Sequence, residues 1–187
     1  MTSSILGISA RATAGKSTFV KLLADLVYAQ DKRIVRDLAF AHALKAELDP
    51  VLTRDLGISA FTANAEHKRL IRPFLVERGA GARKTDPDHW IKLLEPLVKE
   101  ALARGEVVGV SDVRYTNEAN WVHSLGGKVV YIERLLPSGE PVPPANQEEA
   151  EQDGLTRACC DLTITWPTLP LDRLRPYVQD VWTQLNT

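Results

Sequence analysis

Ala10-Arg-Ala-Thr-Ala-Gly-Lys-Ser-Thr18 is the stretch on which the fold turns. It fits the pattern GxxxxGK[ST] at every fixed position except the first, where Ala10 stands in place of glycine. An apolar run, Ser4 to Ser9, precedes it. Lys16 to Gln30 follows, with Phe19, Val20, Leu22, Leu23, Leu26 and Val27 at helical spacing. A buried strand that turns sharply into a helix is the setting in which this pattern works. Successive backbone N–H groups curl around an anion, and the helix N-terminus adds positive potential. The stretch therefore reads as a cradle for the phosphates of ATP, formed by Ala10, Arg11, Ala12, Thr13, Ala14, Gly15, Lys16, Ser17 and Thr18. Lys16 would bridge the β- and γ-phosphates, and the Ser17 hydroxyl would face Mg2+. Alanine at the first position is tolerable if φ there is negative.

Outward from this loop the chain alternates strands and helices. Arg33 to Leu38, Val107 to Ser111, Lys128 to Glu133 and Asp161 to Trp166 read as strands. Phe40 to Leu48 reads as a helix ended by Pro50, and Glu66 to Arg78 as a helix stopped by Gly79-Ala80-Gly81. Asp88 to Arg104 is a further helix that Pro96 kinks or splits. Asn117 to Leu125 and Leu171 to Leu185 complete the set. Leu136 to Gly154 carries four prolines and then Glu148, Glu149, Glu151 and Asp153, and reads as a mobile loop leading into a polar helix.

Such alternation predicts an α/β protein, a three-layer P-loop NTPase fold with a parallel five-stranded sheet flanked by helices. One domain spans 1–187, with a core of 1–38 and 105–187, a helical insertion over about 39–104 and a short lid over about 135–154. The loops at the carboxyl ends of the strands should share one cleft.

Composition narrows the partners. The 187 residues carry a net charge of −1, which argues against stable nucleic-acid binding. No apolar run is long enough to span a bilayer, and the N-terminus lacks the pattern of a secretory signal. Cys159 and Cys160 are adjacent, too few for a zinc site and poorly placed for a structural bridge, so the expected location is cytoplasmic. His42, His67, His89 and His123 show no metal spacing.

Val107 to Asp112 is an apolar strand ending in an acid, the place for a carboxylate in the Mg2+ shell; the alternative for Asp112 is a helix N-cap. Arg114 follows closely and suits a bidentate grip on phosphate. Glu118 either orients Arg114 or serves as a first-turn helix acid. Lys45, and then Lys68, Arg69 and Arg72 at spacings of three and four, form a basic side continued by Arg78, Arg83 and Lys84. That side suits an anionic phosphoryl acceptor, or is a solvated helix face. Trp90 is core or the wall of a base pocket; Trp121 and Trp182 read as packing residues.

Six stretches together resemble the deoxynucleoside monophosphate kinases of tailed bacteriophages, a branch of the nucleoside monophosphate kinase superfamily. They are SARATAGKST, FAHALK (Phe40 to Lys45), RPFLVERGAGAR (Arg72 to Arg83), DPDHWIKLL, SDVRYTNEA (Ser111 to Ala119) and GGKVVYIER (Gly126 to Arg134). The resemblance implies transfer of the γ-phosphoryl of ATP, with Mg2+, to a deoxynucleoside 5′-monophosphate, in the host cytoplasm if the chain is phage-encoded.

It also implies acceptor contacts by Phe40, Lys45, Arg69, Arg72, Arg83, Trp90, Arg114 and Glu118, an ATP-side role for Arg134, and catalysis by Lys16, Asp112, Arg114 and Arg72, with Ser17 and Asp112 at the metal. The acidic stretch NQEEAEQDG departs from the family's His-containing pattern, so no role is assigned to Glu148 or Glu149. A homodimer is left open. The rivals are a P-loop kinase for a nucleoside or another phosphorylated metabolite, and a nucleotide-binding module without transfer activity.

Overall fold

A computed structural model describes residues 4–186. Within them lie strands β1 (Ile5–Ala10), β2 (Val35–Leu38), β3 (Val107–Val113), β4 (Lys128–Leu135) and β5 (Leu162–Pro167). The helices are α1 (Lys16–Asp31), α2 (Phe40–Leu56), α3 (Ala65–Thr85), α4 (His89–Ala103), α5 (Thr116–Ser124), α6 (Gln147–Ala158) and α7 (Leu171–Leu185). The strands pair throughout in parallel, in the order β2-β3-β1-β4-β5.

The protein is thus an α/β P-loop fold with a five-stranded parallel sheet, as the alternation predicts. β1 is wholly buried, and the chain crosses from one of its flanks to the other between β3 and β4. That crossing opens a crevice at the carboxyl end of β1, where the phosphate loop begins.

The chain divides into two compact units: the stretch up to Leu38 together with the stretch from Leu97 on, and Ala39–Pro96 between them. In the first unit, α1 and α7 pack on each other and against the sheet, and α5 packs against β1 and β4. Their shared core includes Ile8, Phe19, Leu23, Ile132, Trp166 and Val178. In the second unit, Leu52, Ile58, Ala60 and Ile71 form the buried cluster. The half of α4 that follows Pro96 groups with the first unit.

Three local expectations are corrected. α2 does not end at Pro50 but continues to Leu56. The proline costs one backbone bond. In return Leu52 reaches the buried cluster, and Gly57 (φ 67°) makes a proper stop. Its N–H donates to Thr53 O at 3.0 Å, the single bond of an αL ending, and the Ile58 N–H donates to Leu52 O at 3.4 Å.

α3 passes through Gly79 and Gly81, because neither adopts the positive φ that would end a helix. Gly79 is instead a close-packing point, with its carbonyl accepting the Trp90 Nε1–H at 3.2 Å. α4 is one helix through Pro96.

The segment 136–146, expected as a mobile loop, is tied down. Leu136 N–H donates to Glu140 O at 2.8 Å and Val142 N–H to Arg134 O at 2.9 Å, so the chain doubles back along the end of β4. Among the described residues no helix is long and apolar enough to cross a membrane.

Candidate active site

The loop after β1 has its left-handed positions at Thr13 (φ 64°) and Gly15 (φ 99°), not at Ala10. Ala10 is the last residue of β1 and is buried, so a methyl group there meets no backbone penalty. Gly15 is different. A Cβ on it would lie 2.8 Å from Cζ2 of Trp166, in a backbone conformation that side chains avoid.

Trp166 also donates its Nε1–H to Ala14 O at 3.0 Å, and Arg134 Nη1 donates to Thr13 O at 2.9 Å. Because the peptide is planar and trans, pinning the Ala14 carbonyl on one side turns the Gly15 N–H to the other. The sequence pattern assigns Trp166 no role, although its place at the end of an apolar strand is visible there. Ala14, Gly15, Thr18, Arg134, Trp166 and Leu174 help to line a cleft of about 250 Å³ beside the loop.

Lys16 folds over the loop, with Nζ donating to Ala10 O at 2.7 Å and Arg11 O at 3.1 Å. Burial lowers its pKa to about 8, and the Arg114 charge pushes the same way; Glu149, Asp112 and Asp153 pull it upward. These charges surround Lys16, so the strand ends gather Arg114 and Asp112 at the phosphate loop. Ser17 stands exposed in the first turn of α1.

A register slip positions Asp112. Gly7 of β1 pairs with Val110, but Ser9 pairs with Val113, so β3 carries an extra residue across Ser111 and Asp112. The burial of β3 breaks at the same place, where both residues are half-buried. Bulges of this kind re-aim side chains. Asp112 is therefore part of a strand and not the N-cap of α5, whose N-cap is Tyr115. Glu118 is buried in the first turn of α5, and its carboxylate accepts from the N–H groups of Arg114 (2.8 Å) and Tyr115 (3.2 Å). It fixes the backbone that carries Arg114, while the Arg114 side chain is exposed.

The acidic helix α6 meets the same loop. Asp153 accepts from Arg11 Nε at 2.8 Å and from Tyr131 OH at 2.6 Å. Glu149 Oε1 accepts the Ala12 N–H at 2.9 Å. Thr156 Oγ1 donates to Arg114 O at 2.6 Å, and Tyr115 OH donates to Glu148. The acidic run was legible in the sequence, but its target was not.

Asp37 near the end of β2 was also missed. The residue is exposed on β2, yet its carboxyl is desolvated enough to raise its pKa, against a hydrogen bond with Ser111 that lowers it.

The remaining residues of the expected acceptor side lie in the second unit. Phe40 and Trp90 are each 2% exposed, and Arg78 stacks over the Trp90 ring at 5.6 Å, so both aromatic rings serve packing there. Arg69 pairs with Glu66 at 3.0 Å on the surface of α3. Arg72 is exposed on that helix; Lys45 on α2 and Arg83 on α3 are half-buried.

No protein-family model matches the sequence, and no curated protein matches it. Among solved structures, a shikimate kinase from Aquifex aeolicus aligns over 96% of this chain and 96% of its own, at 14% identity and a TM-score of 0.47. An unliganded sugar kinase from Janibacter sp. aligns over 98% of this chain and 95% of its own, at 10% identity and a TM-score of 0.50. At such identity the second likeness bears on the fold, and it agrees with the α/β P-loop architecture built above from strand order and loop geometry.

Proposed function

We propose that the protein is a phosphotransferase that moves the γ-phosphoryl of ATP to a deoxynucleoside 5′-monophosphate. The observation that carries the reading is the loop Ala10 to Thr18, with left-handed Thr13 and Gly15, a half-buried Lys16, and the Arg114 and Asp112 charges beside it. The acceptor class rests on the sequence resemblance and the basic residues of α2 and α3.

In this reading an acceptor phosphate oxygen attacks the γ-phosphorus in line. The bond from that phosphorus to the β,γ-bridging oxygen breaks, and ADP leaves with the electron pair. The attacking atom is already an anion, so positioning and charge neutralisation supply the catalysis. Lys16 neutralises the transferring phosphoryl, Arg114 and Arg72 the acceptor, and Arg134 steadies the loop on the ATP side. Lys45, Arg69 and Arg83 are proposed acceptor contacts.

The exposed Ser17 hydroxyl and the half-buried Asp112 carboxylate are hard oxygen donors that fit Mg2+ together with phosphate oxygens and water. When bound, the ion neutralises charge on the β- and γ-phosphates. The working compartment is taken as the cytoplasm.

ADP release measured over a panel of dNMPs, ribonucleotides, nucleosides and phosphorylated metabolites tests the proposal. At least one dNMP should stimulate release, and Lys16→Ala should abolish it. Stimulation by no dNMP sinks the acceptor assignment; undiminished turnover in Lys16→Ala sinks the loop's role.

One observation favours a second reading. Asp37, with a raised pKa beside Ser111, is suited to take a proton from a hydroxyl. Activity toward hydroxyl acceptors only, lost in Asp37→Asn, would favour that reading. Nucleotide binding without product under any acceptor would favour a binding module.

A further inference from the structure

We infer that Glu149 is a built-in anion that occupies the phosphate loop and must be displaced before a triphosphate can seat, which makes α6 a self-inhibiting clasp. The inference rests on the reading of Ala10 to Thr18 as a phosphate cradle.

An amide in such a loop needs an acceptor, and an anion is the acceptor it is shaped for. The Ala12 N–H has one: Glu149 Oε1 at 2.9 Å. The other oxygen of the same carboxylate accepts the Ala145 N–H at 2.6 Å. One side chain therefore joins the phosphate loop to the segment 136–146. Asp153, four residues further along the same face of α6, forms an ion pair with Arg11 at 2.8 Å. Arg11 Nη1 also donates to Val142 O at 2.9 Å. Arg11 and Ala12 are thus clasped from one side by two carboxylates and a carbonyl.

The charge on Glu149 is felt at Lys16, so it stands within the field meant for phosphate. Lys16 itself is turned onto the carbonyls of Ala10 and Arg11. A carboxylate and a phosphate oxygen cannot both take the Ala12 N–H and crowd the same lysine without repulsion. Glu151, by contrast, points its carboxylate at Gln147 Nε2 (2.7 Å) on its own helix.

The test is calorimetric titration of the full chain with inorganic tripolyphosphate and with Mg·ATP. Wild type, Glu149→Gln and Glu151→Gln are compared. Glu149→Gln should bind both ligands on the order of tenfold more tightly, the factor by which an apparent affinity rises when a state roughly nine-tenths closed is freed. Glu151→Gln should bind as wild type does.

Equal or weaker binding by Glu149→Gln, with wild-type binding intact, overturns the clasp and leaves the phosphate-loop reading standing. Binding by none of the proteins overturns the phosphate-loop reading, and the clasp with it. Thermal melting checks that the variants fold. Should Glu149→Gln fail to fold, Glu149→Asp, which is one methylene too short to reach Ala12, carries the same expectation and the same refutation.

Discussion

Lys16 is the residue on which the proposed chemistry depends, and its lowered pKa has two physical causes. Burial disfavours the charged amine, and the Arg114 guanidinium repels it; together they lower the pKa from 10.5 to about 8. A lysine whose folded pKa is lowered burdens folding fully at pH values below about 8, and the burden is relieved as pH rises toward 10.5. The proposed binding of phosphate runs the other way, since it needs the charge. ATP affinity of the free protein should therefore fall as pH rises through about 8, and Arg114→Ala should move that fall to higher pH. Titrations from neutral to alkaline pH check both; an unchanged midpoint in Arg114→Ala would refute the coupling. Lys16 was legible from the motif alone. Its partner at Arg114 was legible only as a basic residue near a strand end, because the pKa depends on neighbours that the fold supplies.

At the scale of elements, periodicity located the strands and helices, and proline and glycine misplaced two endings. Pro50, Gly79 and Gly81 read as stops, yet helices run through all three. A proline costs a bond but leaves the helix intact when the residues beyond it have a core to enter. A glycine ends a helix only where it turns left-handed. Gly57 does so, with φ 67° and open space where a side-chain methyl would stand. Gly57→Ala should therefore cost stability through backbone strain alone, roughly 1–2 kcal/mol. Chemical denaturation with the slope held constant checks this; a loss below a few tenths would mean that α2 ends by other means. The docking of α6 on the phosphate loop belongs to this scale too. Its acids were plain in the sequence, but nothing local says that the segment 136–146 doubles back along β4 and delivers Glu149 to Ala12.

Across the whole first unit, an ion cluster ties distant segments together away from the phosphate loop. Glu106, just before β3, accepts both Nε and Nη2 of Arg36 on β2 at 2.9 Å, and Arg104 Nε beyond α4 at 3.1 Å. Arg36 first, and then Arg104, hold the Glu106 carboxyl down at about 2 from an ordinary 4.5, against a desolvation penalty. A carboxyl with a depressed folded pKa lends stability that is present above 4.5 and lost as pH falls through about 2. Glu106→Gln should therefore lower the urea midpoint at neutral pH, and the gap from wild type should close near pH 2. A gap that persists there would mean that the variant acts through packing instead of charge.

Residue order was enough to specify the strand–loop–helix proposed to cradle an anion, the parallel α/β class, and the position of the acid and arginine at the end of β3. Each depends on contacts between near neighbours or on a periodicity read within one element. The rest came only with the folded chain. It explains why Ala10 is harmless, since the left-handed turns fall at Thr13 and Gly15. It sets Trp166 behind Gly15, re-aims Asp112 through a register slip, and brings the acids of α6 to the loop. Glu149 and Trp166 lie 137 and 152 positions from the loop residues they bond, and only the packing of the sheet and its helices brings them within a bond's length. The stretch Ala10 to Thr18 thus reads as a phosphate cradle from its own sequence, and only the fold around it ties that stretch to α6.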